Sequence, residues 1–85
     1  MAPEKVNELV EAAVGKSFQL WAAEHPSLAS VIDHLRLCER TAESLRNSPA
    51  YQKAVEDYHR DCSDLNLLNR LIDLAGPVLL GILAA

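Results

Sequence analysis

Apolar residues recur along the chain at three- and four-residue intervals, the period of helices that bury one face. From Pro3 to Glu24, Val6, Leu9, Val10, Ala13, Val14, Ser17, Leu20 and Trp21 form one such stripe and predict a first helix, with Phe18 off its centre. Pro3 suits a first turn, and Glu4 and Glu8 suit the positive end of the helix dipole. Gly15 lies inside this helix at a cost of about 1 kcal/mol relative to Ala, which points to a close helix contact or a bend.

His25-Pro26 breaks the first helix, because the residue before a proline is pushed out of the α region. Leu28, Val31, Leu35, Cys38, Ala42 and Leu45 then alternate at three and four, predicting a second helix from Ser27 to Arg46 with a short heptad seam. Asn47-Ser48-Pro49 is the next break, with Ser48 as cap and Pro49 in the first turn of a third helix ending at Asp61. Its inner side is Tyr51, Ala54, Val55, Tyr58 and Cys62, the tyrosine hydroxyls reaching water at the core edge.

Ser63 or Asp64 caps a fourth helix carrying Leu65, Leu68, Leu71, Ile72 and Ala75. Gly76-Pro77 is predicted to kink or end it, leaving Val78 to Leu83 as a short last segment. Short connections make successive helices antiparallel neighbours. The fold class expected is all-α: one domain over residues 1–85, a small antiparallel bundle of four main helices with a Gly-Pro kinked C-terminal helix.

Five large apolar residues, Phe18, Leu37, Leu67, Leu74 and Leu80, fall off these stripes, and no charged side chain follows Asp73. A helix apolar on nearly all sides is central to a bundle or sits at an interface. Three covers would serve: the chain's own helices, a symmetry-related copy, or a partner or lipid surface. The interface expected from this excess is Leu67, Leu74, Val78, Leu79, Leu80, Ile82 and Leu83. A monotopic membrane helix carries basic residues on its polar face, and Arg70 is alone there, which argues against a membrane surface. The apolar run after Pro77 is about half the length of a bilayer span.

Composition narrows the function. A hydrophobic fraction of 49% argues against global disorder, and the scarcity of aromatics favours helices over sheets. A net charge of −4 argues against nucleic acid, whose phosphates need clustered Lys and Arg. The start, Met-Ala-Pro-Glu-Lys, has no apolar run behind it, so a cytosolic protein with reduced Cys38 and Cys62 is expected. The chain carries no Gly-rich phosphate loop, nucleophile elbow or HExxH pattern, and an enclosed catalytic pocket needs more chain than this.

The sharpest chemical pattern is His34-x-x-x-Cys38 with His59-x-x-Cys62, placed almost symmetrically about Ser48-Pro49. In an antiparallel hairpin, two imidazoles and two thiolates would meet as a tetrahedral zinc site, a useful staple for a small domain. Cysteines on apolar seams otherwise behave as small hydrophobes, and the pair could also form a redox-sensitive disulfide after a shift of register. The function expected is a non-catalytic helical interaction or assembly module, self-associating or bound to another protein, without a cofactor. A small zinc-type protein using His34, Cys38, His59 and Cys62 is the alternative.

Overall fold

A computed structural model describes residues 3–84, and among them the secondary structure is entirely helical: α1 Pro3–Glu24, α2 Pro26–Ala29, α3 His34–Arg46, α4 Pro49–Asp61 and α5 Asp64–Ala84. The first and third predicted helices therefore stand with their bounds. At the first break His25 leaves the helical region (φ −133°, ψ 58°), as its following proline requires.

The second predicted helix is divided. Asp33 takes an extended backbone and its carboxylate accepts the Arg36 N–H at 3.2 Å, starting α3 anew. An aspartate placed to cap competes with continuing a helix, and the β-branched pair Val31-Ile32 before it lowers local propensity. Only a single turn, α2, precedes the break. The heptad seam fails with it: Val31 is 80% exposed and Leu35 76%, whereas Leu37, Thr41, Ala42 and Leu45 form the buried face of α3.

Ser48 caps α4 by accepting the Ala50 N–H at 3.2 Å. Beyond Asp61 the chain turns through Cys62, which adopts the left-handed conformation (φ 53°, ψ 26°) and is exposed, not part of the inner side of α4. Ser63 then caps α5, its Oγ accepting the Asn66 N–H at 3.2 Å. The helix runs on through Gly76-Pro77, so Val78–Leu83 is its continuation rather than a separate segment. Pro77 is exposed, and the carbonyl it deprives of a partner, that of Asp73, lies on an exposed residue where water can satisfy it.

Helix α5 is the hub, packing against α1 most extensively and also against α3 and α4, while α3 and α4 touch each other little. Its buried line is Leu67, Leu71, Ala75 and Leu79, four residues at successive turns. One core cluster sets Val10, Val14, Leu45, Tyr58, Leu67 and Leu71 together; a smaller one joins Phe18, Leu37 and Leu79, with Trp21 packed against it. Phe18, Leu37 and Leu67, which fit no predicted stripe, are thus core residues. Each fully buried leucine adds about 1.5–3 kcal/mol of transfer free energy, so this line is a major contributor to stability beside Val10, Val14 and Leu45.

Candidate functional site

Two of the expected interface residues are not available. Leu67 and Leu79 are each 1% exposed and belong to the core, because the line from Leu67 to Leu79 is the one that faces α1. Leu74, Val78, Ile82 and Leu83 are half-buried, and Leu80 stands out at 55% exposure. Leu20 of α1, at 54%, faces the same groove as Leu80, a hollow of about 220 Å³ between α1 and α5 whose floor includes Trp21, Ile72 and Gly76. The His25 ring stacks on Trp21 with centroids 5.1 Å apart, fixing the indole at the groove's end. Beyond Asp73 the exposed side of α5 is Pro77, Leu80, Gly81 and Ala84, with no charge among them.

A larger groove of about 810 Å³ runs between α1 and α3. Its floor is apolar, from Val14, Cys38 and Ala42, and its rim is acidic, from Glu11, Glu39 and Glu43. Gly15 opens onto it, and a Cβ placed there would meet nothing within 4 Å, so Gly15 marks open space and neither close contact nor bend is needed to explain it. Burial pushes the Cys38 thiol above its usual range. Sequence periodicity missed this groove because the division at Asp33 rotates the seam assumed for α3; Gly15 was its one visible signal.

The four predicted metal ligands are not gathered. Among the described residues no three His, Cys, Asp or Glu side chains are placed to hold a metal ion. His34 lies against α1, its ring stacked on Phe18 at 4.2 Å and 15°. His59 tilts against the Tyr58 ring, and Cys62 sits exposed in the turn after α4. The physical reason is the sparse contact of α3 with α4: the hairpin that would close the site is not tightly formed, as both helices pack on α5 instead.

Charge is concentrated where α4 meets α5. Asp57 accepts from Arg70 at 2.6 Å and from Arg60, with Lys53 at 3.5 Å, and these cations, Arg70 foremost, hold its carboxyl down to about 2. The Tyr58 hydroxyl donates to Asp64 Oδ1 at 2.6 Å, which pushes the phenol up to about 12 and the carboxyl below its usual range. Lys5 completes the set at 3.3 Å from Asp64, tying α1 to the start of α5. These groups pair with one another, and their arrangement joins α1, α4 and α5.

Comparison with protein-family models, with curated protein sequences and with solved structures returns no match. At 21 residues, with a mean hydropathy of 1.6 over its most apolar window, α5 is long and apolar enough to cross a membrane by length and composition. The run after Pro77 is short, as expected, but it continues the helix before it instead of standing alone. Only 22% of that window is buried in the fold, so packing against the other helices accounts for one side of its composition and not for the outer side.

Proposed function

We propose that this protein is a non-catalytic assembly module that self-associates through the α1–α5 surface, with Leu20 and Leu80 at the centre of the contact. The observation that carries this reading is the pairing of these two half-exposed leucines across one groove beside Trp21. Single exposed leucines are unremarkable, but two facing one apolar hollow on an uncharged helix end are what a helix–helix contact uses. A two-fold axis would set each copy's Leu80 into the other's groove, the commonest closed assembly. Small domains gain from such association because they bury proportionally little surface alone.

The reading places the protein in the cytosol and takes the domain as an antiparallel four-helix bundle, with α5 bent at Gly76-Pro77 so that its last turns present Leu80, Ile82 and Leu83. Leu80→Glu tests it by light scattering across a concentration series. The variant is expected to stay helical and fall to monomer mass; an unchanged assembly mass contradicts the assignment. Leu80 is preferred to Leu74 for this purpose, since Leu74 packs against the main core and its loss would also damage the fold.

A further inference from the structure

We propose that the groove between α1 and α3 is a docking site for a basic amphipathic helix of a partner protein. This uses a different flank of α1 from the self-association surface and does not rest on it. Three observations point to such an occupant. The groove, at about 810 Å³, lies between two helices with an apolar floor, the setting into which an amphipathic helix lays its apolar face. Its apolar floor continues into Leu35, an aliphatic side chain left 76% exposed at the start of α3. Its rim carboxylates have no partner: none of the ion pairs among the described residues uses Glu11, Glu39 or Glu43, and all three are exposed.

The charge is also ordered. Glu39 and Glu43 stand one helical turn apart on α3 and Glu11 faces them from α1, so the groove carries carboxylates on both banks. Arg46, the basic residue of the lining, is drawn aside to Asn7 Oδ1 at 3.3 Å. A helix that lays an apolar face on Val14, Cys38 and Leu35 and carries Lys or Arg one turn apart on its flanks matches floor and rim together. Gly15, with no side chain, lets the backbones approach where a larger residue would stand in the way. A second copy of this acidic chain meets the same rim with net repulsion.

The two cysteines provide a readout in the native protein, because Cys38 lies in the groove and the exposed Cys62 lies outside it. The probe is a helical peptide of about four turns built from Leu and Lys, with its Leu/Glu counterpart as control. Iodoacetamide labelling of each thiol is followed by peptide mass spectrometry at low salt. At a Leu/Lys concentration about ten times its Kd, Cys38 labelling is expected to slow about tenfold while Cys62 is unchanged. Glu39→Lys with Glu43→Lys should abolish the protection, and Glu4→Lys with Glu56→Lys, an equal charge change elsewhere, should keep it. Unprotected Cys38, equal protection by the Leu/Glu peptide, or equal loss in the control variant would overturn the proposal. The wild-type comparison of the two peptides stands whether or not the charge-reversed proteins fold.

Discussion

Cys62 pays a local conformational penalty, being the non-glycine residue at positive φ (53°) among those described. Left-handed backbone costs an ordinary residue about 1–2 kcal/mol, and glycine is the usual occupant after a helix. Cys62→Gly should therefore raise stability by about 1 kcal/mol in a urea titration, and a lower midpoint would show that the thiol makes an interaction of its own. Gly15 is the converse case. Its Cβ position is empty and its backbone helical, so Gly15→Ala should stabilise by about 1 kcal/mol in the same assay. Titration gives a third residue-scale expectation. Asp57 and Asp64 have folded pKa values below their unfolded ones, so their contribution is complete above about 4 and is lost as pH falls below that value, for Asp57 as it approaches about 2. Tyr58 has the opposite sign: its raised value makes its contribution complete below about 10 and lost as pH rises toward 12. Asp57→Asn should flatten the acid limb of a stability–pH curve and leave the alkaline limb alone, whereas Tyr58→Phe should flatten the alkaline limb and also weaken the part of the acid limb that Asp64 supplies, because the lost hydroxyl is what holds Asp64 down. The cations that pair with Asp57 and Asp64 are exposed, so added salt should shrink the acid-limb effect.

At the scale of the elements, burial separates the leucines sharply. Leu71→Ala, in the centre of the α5 line, should cost about 2–5 kcal/mol, whereas Leu35→Ala should change stability by less than about 0.5 kcal/mol. Thermal melts of the two variants decide this, and comparable losses would mean that Leu35 is covered in the folded protein. The helices were largely legible in the sequence because prolines and caps mark their ends: Pro26, Ser48-Pro49 and Ser63 each fall at an observed boundary. Two places were not. Asp33 reads as an ordinary polar position in a periodic segment, and only its capping bond to Arg36 reveals a helix start. Pro77 reads as a terminator, yet a proline on the exposed side of a packed helix forfeits a hydrogen bond that water replaces. The break at Asp33 ended the assumed seam and hid the groove, while the metal quartet failed on a tertiary fact, the sparse contact of α3 with α4. Contact pairs between distant residues, such as His34 on Phe18, have no local signature in the chain.

For the whole molecule, α5 carries the core line and, in the proposed function, half of the assembly surface. One side supplies the core line from Leu67 to Leu79, while the outer side beyond Asp73 is left without charge. The domain is elongated, with extents of 42 × 21 × 18 Å, and the two grooves use different stretches of α1, residues 11–15 for one and 17–24 for the other. Self-association on one flank and a basic partner on the other would make α1 the shared wall of two interfaces. Native mass spectrometry of the untagged chain over a range of concentrations tests the central claim most directly. A dimer or higher assembly that grows with concentration, and collapses to monomer in Leu80→Glu, is the predicted result. A bare monomer at every concentration would contradict self-association through the α1–α5 surface.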